Sequence, residues 1–186
     1  MSTKLKLIMT TLLAVILLAA CGSSEEGTTT SDSGSKESDV FKVGLEAGYA
    51  PFNWTQNDDS NGAVKIEGSQ EYAGGYDVEI AKRVADALGK ELVIVKTEWD
   101  GLLPALQSGV IDAIIAGMSP TDERKEVIDF SENYYTSEFV IVTKTGGDYA
   151  NAKTLADFAG AKITSQLNTT NYAVIDQIPD VKKEVA

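Results

Sequence analysis

The 186 residues contain no histidine and a single cysteine. A chain without histidine cannot build a His-dependent catalytic triad or a His/Cys metal site, and one thiol cannot close an internal disulfide. A metal would need acidic oxygens, and the run Asn57-Asp58-Asp59 lacks the glycine and distal glutamate of an EF-hand loop. No metal and no cofactor is therefore expected. Long apolar runs are missing too. The uncharged stretch at 7–20 falls short of the roughly 20 residues a membrane span requires. Positive charge is scarce, with 16 Lys and Arg against 28 Asp and Glu and a formal charge of -12. Such a surface repels nucleic acid and gives no electrostatic grip on anionic lipid. Between 22 and 39 there is no large apolar side chain at all, so that stretch cannot bury a core and is expected to be a disordered spacer.

What stands ahead of the spacer is more specific. Lys4 and Lys6 precede the apolar segment, which ends in Leu18-Ala19-Ala20-Cys21. A basic start, an apolar centre and small residues at a cut site are the layout of a secretory signal. A cysteine directly after the cut matches the lipobox, which makes Cys21 the expected lipidated first residue of the mature chain. Loss of the two lysines takes the formal charge from -12 to -14. The expected order is a lipoprotein signal peptide at 1–20, a tether at 21–39 and a folded part from 40. The protein is expected to be extracytoplasmic, held at the cell membrane by lipid alone.

From 40 onward strands alternate with helices. Strands are expected at 40–45, 92–95, 111–116, 138–143 and 161–164. The apolar spacing of Val78, Ala81, Val84, Ala85 and Leu88 predicts a helix capped by Asp77 and closed by Gly89. Shorter helices are expected from Asp100 to Gly109, after a capping Thr121, and at 155–158 and 171–178. The polar stretch 55–72 reads as a long loop or small hairpin. This alternation predicts an α/β fold with a mainly parallel sheet, whose ligands sit at the carboxyl ends of the strands. The loops after Leu45, Val95, Ala116 and Ser165 are thus the first places to look.

Those loops hold Glu46, Tyr49, Trp99, Gly117, Ser119, Arg124, Gln166, Thr169 and Thr170. Arg124 is one of only two arginines, three residues past the capping Thr121. A planar guanidinium beside a helix start suits a carboxylate, although pairing with Glu126 or Asp129 on the surface fits the spacing equally well. Tyr49 and Trp99 follow neighbouring strands and could enclose a flat or aliphatic group, or could simply be core.

Several runs then occur together: Glu46-Ala47-Gly48-Tyr49-Ala50-Pro51-Phe52, Gly75-Tyr76-Asp77-Val78-Glu79-Ile80-Ala81, Trp99-Asp100-Gly101-Leu102-Leu103-Pro104-Ala105-Leu106 and Asp112-Ala113-Ile114-Ile115-Ala116-Gly117-Met118-Ser119. Thr121-Asp122-Glu123-Arg124-Lys125 and Ile128-Asp129-Phe130-Ser131 complete the series. In this order they closely resemble family 3 solute-binding proteins, the polar amino-acid receptors of ABC importers. The resemblance covers essentially everything after the tether. It implies a type II periplasmic-binding-protein fold, with one lobe at 40–142 and an incomplete second lobe at 143–186. The family continues beyond this point, so the chain is expected to lack the acidic residue that pairs with the ligand ammonium.

The resemblance also implies roles. Arg124 would grip the ligand α-carboxylate, Ser119 would assist and the Gly117 carbonyl would receive the amine. Tyr49 and Trp99 would enclose the side chain, and Glu46 would read its far end. Gln166, Thr169 and Thr170 match a Q-x-G-T-type turn of the second lobe, in which Asn168 stands where glycine is usual. The implied protein performs no chemistry: it captures a free amino acid, arginine or lysine first and glutamine or histidine next, and delivers it to ABC permease subunits. Two other readings of the same fold are a small dehydratase or lyase using Glu46, and a sensory ligand-binding module.

Overall fold

A computed structural model describes residues 39–186. The signal segment, Cys21 and nearly all of the spacer lie outside the described residues. The chain begins with β1 (Val40–Leu45), followed by β2 (Gly48–Tyr49), β3 (Asn53–Gln56), β4 (Val64–Lys65) and β5 (Tyr72–Gly74). Helix α1 (Tyr76–Leu88), β6 (Glu91–Lys96), α2 (Trp99–Gln107), β7 (Ala113–Ile114) and the single turn α3 (Asp122–Lys125) come next. The last part holds a 3-10 turn at Leu155–Phe158, β8 (Lys162–Ser165), α4 (Thr170–Ala173), a 3-10 turn at Val174–Gln177 and β9 (Lys182–Val185).

The parallel sheet expected from the alternation is present, with β1 in its centre. It pairs with β6 from Val40 opposite Glu91 to Leu45 opposite Lys96, and with β7 through Val43 and Gly44. A strand between two others buries both faces, and Val43, Leu45 and Ile94 are fully inaccessible. Leu102 of α2 and Val78, Ala81 and Ala85 of α1 close over this sheet to form the main core. In the stretch 55–72 the small hairpin forms, with β4 antiparallel to β5, and β3 and β2 extend it into an antiparallel sheet in the order β2-β3-β5-β4. A second, smaller cluster of Phe158, Ala161 and Ile178 supports the parallel pair β8 and β9.

Four local expectations need correction. Asp77 does not cap α1; Gly75 occupies that position, while Asp77 lies inside the first turn and is buried. Val84 and Leu88 are exposed, so the buried stripe of α1 is narrower than its apolar spacing. The stretch 138–143 is not a strand. Its apolar residues face solvent, with Val140 80% and Val142 91% exposed, and no strand pairs with it among the described residues. β propensity without a partner does not make a strand. The expected strand at 111–116 shortens to β7. In contrast, Gly89 ends α1 in the left-handed conformation (φ 66°), and the Thr121 side chain accepts the Arg124 N–H as an N-cap.

Candidate functional site

Four loops converge at the carboxyl ends of β1, β6, β7 and β8, where the strand alternation directs attention. Arg124 joins them. Its Nη1 donates to the Ser119 carbonyl at 2.9 Å, and its Nη2 donates to the Asn168 carbonyl at 2.9 Å. The guanidinium carbon lies 5.4 Å from the Trp99 ring centroid, so the cation rests on an aromatic face. Burial pulls the Arg124 pKa down from its ordinary value while neighbouring Glu123 pushes it up. The guanidinium stays charged. Surface pairing with Glu126 or Asp129 is not what this geometry uses. Helix α3 is only one turn long, so its N-terminus adds little field beside the guanidinium.

The loop after β8 meets the other three. Gln166 Nε2 donates to Glu46 Oε1 at 2.7 Å, and Trp99 Nε1 donates to the Asn168 carbonyl at 3.0 Å. Ser119 Oγ and Thr170 Oγ1 are 3.4 Å apart. Asn168 has φ 58°, a left-handed conformation that glycine adopts freely and asparagine tolerates better than most residues. The substitution thus keeps a glycine-like turn and adds a contact, because Asn168 Nδ2 donates to Asp100 Oδ1 at 2.9 Å. Thr169 is used differently. Its hydroxyl caps α4 by accepting the Tyr172 N–H and donates to the Gln166 carbonyl, so it is committed within its own loop.

A cavity of about 250 Å³ lies between these loops, lined by Glu46, Glu98, Trp99, Asp100, Gln166, Leu167 and Ala186. Three carboxylates and no basic side chain line it, and Arg124 reaches it only through its contact with Trp99. Tyr49 is placed elsewhere. It stacks on Phe52 with ring centroids 5.2 Å apart, and its ring edge comes beside Gly117. Glu98 and Asp100 were not among the residues expected from sequence, although their position on either side of Trp99 was a usable signal.

Behind the loop after β7 lies a polar chain with no local sequence signal, rooted in the buried Asn53 and Asp77. The Gly117 N–H donates to the Tyr134 hydroxyl oxygen at 3.1 Å. That hydroxyl in turn donates to Asp77 Oδ1 at 2.8 Å, and Asn53 Nδ2 donates to Asp77 Oδ2 at 2.7 Å. Desolvation pushes the Asp77 carboxyl above its usual value, against the opposing pull of the bonds from Asn53 and Tyr134. Burial, followed by the Asp77 charge, pushes the Tyr134 phenol well above its own. The proton therefore stays on the tyrosine.

Over residues 41–184 the chain matches the bacterial extracellular solute-binding proteins, family 3. It is 37% identical over 130 residues to a probable histidine-binding protein of Campylobacter jejuni, covering 70% of this chain and 45% of that protein. It is 32% identical over 139 residues to the arginine-binding extracellular protein ArtP of Bacillus subtilis, covering 75% and 47%. The chain thus spans about half the length of the curated relatives it matches. Among solved structures, an ancestral arginine-binding protein bound to arginine superposes with a TM-score of 0.65 at 36% identity, covering 80% of this chain and 61% of that one. With the mixed α/β fold, the converging loops and a match over most of its length, the chain belongs to family 3 of the bacterial extracellular solute-binding proteins.

Proposed function

We propose that this chain is the substrate-binding component of an ABC importer, capturing a polar amino acid outside the cytoplasm and presenting it to a membrane permease. One observation carries the reading: a guanidinium that bridges two of the converging loops lies against Trp99, and the small cleft that Trp99 also borders is lined by carboxylates. Arg124 Nη1 and Nη2 now reach carbonyls of two different loops, Ser119 and Asn168. A ligand α-carboxylate offers the same fork a charged, bidentate acceptor in their place. At the other pole, Glu46, Glu98 and Asp100 surround the cavity beside the Trp99 ring, which suits a cationic side chain. The arginine-binding and histidine-binding names of its relatives support a basic amino acid, with arginine or lysine as first choice and glutamine or histidine next.

In this reading residues 40–142 and 143–186 are two lobes that close around the ligand, with Ser119 and Thr170 meeting across the cleft. The ligand is bound and released unchanged. Glu46 reads the side chain, and Glu46→Gln should reorder the ligands. Arginine and lysine should weaken by about tenfold or more while glutamine changes little, because only the cations lose a charge partner. Isothermal titration with the three amino acids measures this. Equal weakening of all three would show that Glu46 supports the loop through Gln166 rather than reading the ligand.

Anchoring through a lipidated Cys21 belongs to the same proposal, supported by Leu18-Ala19-Ala20-Cys21 after an apolar segment. Cys21→Ala should move the protein from the membrane fraction to the medium with unchanged ligand affinity. Retention with membranes after this change would remove the lipid-anchor reading.

A further inference from the structure

We propose that Tyr134, held by Asp77, is a positioning residue for ligand capture that acts through the Gly117 amide. The inference rests on the reading of the cleft as an amino-acid site, and it adds a component outside the cleft lining. Gly117 has φ 62°, and its N–H is taken by a side chain, the Tyr134 hydroxyl, rather than by a neighbouring strand. Two residues on, the Ser119 carbonyl receives Arg124 Nη1. The backbone that orients the guanidinium is therefore pinned at one end by a single phenol.

That phenol is itself fixed. Its hydroxyl donates to Asp77, and its backbone carbonyl accepts the Tyr76 hydroxyl at 3.0 Å, tying residue 134 to the first turn of α1 twice. Both Asp77 oxygens are used, one by Tyr134 and the other by Asn53, and Asp77 and Asn53 are almost wholly inaccessible. A hydroxyl that donates to a carboxylate becomes a better acceptor, so the Asp77 contact strengthens the hold on Gly117. The chain Asp77, Tyr134, Gly117, Ser119, Arg124 runs from the core of the domain to the anion pole of the cleft.

Tyr134→Phe keeps the ring against Tyr76 and removes only the hydroxyl. The expected result has two parts. The Gly117 amide resonance shifts and its hydrogen exchange accelerates in the ligand-free protein. Affinity for L-arginine, L-lysine and L-glutamine falls by a similar factor, roughly three- to tenfold, with the ranking unchanged. Asp77→Asn is the second variant, in case Tyr134→Phe fails to fold. Asn53 now points Nδ2 at position 77 and leaves Oδ1 without a partner, so a turn of its amide presents Oδ1 to the new donor and the core can absorb the change. That variant should shift Gly117 in the same direction and weaken the same three ligands by a smaller factor.

An unchanged Gly117 resonance and exchange rate in the variants would overturn the proposal. So would a shifted Gly117 with unchanged affinities, since the amide would then be uncoupled from capture. A wild-type protein that binds none of the three amino acids would instead sink the reading of the cleft, and with it the capture half of this proposal. The Gly117 resonance would still decide whether Tyr134 positions the loop.

Discussion

Arg124→Ala is expected to weaken every amino-acid ligand by about 2–5 kcal/mol, because it leaves an α-carboxylate unpaired in a closing cleft. The side chain donates to the Ser119 and Asn168 carbonyls and lies over Trp99, and no Lys or Arg is among the residues that line the cavity. The lining of the cavity is acidic, which makes an unpaired carboxylate there worse than in a neutral pocket. Part of the loss could come through the loops that Arg124 holds. Arg124→Lys separates the two contributions, since lysine keeps the charge but lacks the planar fork, and it should recover only a fraction of the affinity. Titration with L-arginine, L-lysine and L-glutamine should show near-equal losses, because all three share the carboxylate. A loss confined to one ligand would place Arg124 at the side-chain end of the site.

Gly75→Ala should produce the largest loss of stability, about 3 kcal/mol or more, from backbone effects alone. Gly75 has φ 125° and ψ 178°, a region open essentially to glycine only. A methyl group there would also run into the Phe52 carbonyl oxygen and come within 2.7 Å of the Phe52 carbonyl carbon. That carbonyl cannot move aside freely, since it accepts the Asp77 N–H at 2.8 Å. The strain therefore falls on the junction that carries Asn53, Asp77 and the hydrogen-bond chain to Gly117. Urea unfolding followed by tryptophan fluorescence should show a markedly lower midpoint. An unchanged midpoint would mean that the turn between β5 and α1 relaxes without cost.

Features encoded locally could be read from the sequence. The spacing that marks α1 and its Gly89 stop, the Thr121 cap and the alternation that predicts a parallel sheet each depend on residues a few positions apart. The meeting of the loops after β1, β6, β7 and β8 followed from the same reasoning, since Glu46, Trp99, Ser119 and Gln166 all lie beyond strand ends. Features encoded by distant partners could not be read. Strands β2 and β4 have two residues each, and their register comes from β3 and β5 rather than from any periodicity of their own. Asp77 looked like a helix cap because its sequence neighbours are helical, whereas its partners Asn53 and Tyr134 lie 24 and 57 residues away. The 138–143 stretch shows the reverse failure, with a strand-like composition and no strand alongside it among the described residues. The pairing of Asn168 with Asp100 also has no sequence signature, being set by the turn that brings β8 to the cleft.

The central claim is that one cleft holds an amino acid by its α-carboxylate at Arg124 and by its cationic end at the acidic lining. Calorimetric titration of the protein with L-arginine and with agmatine, which keeps the guanidinium side chain and lacks the carboxylate, tests it most directly. The account predicts that L-arginine binds at least about a hundredfold more tightly than agmatine, and that Arg124→Ala removes most of that difference. Equal binding of the two compounds by the unmodified protein would contradict it.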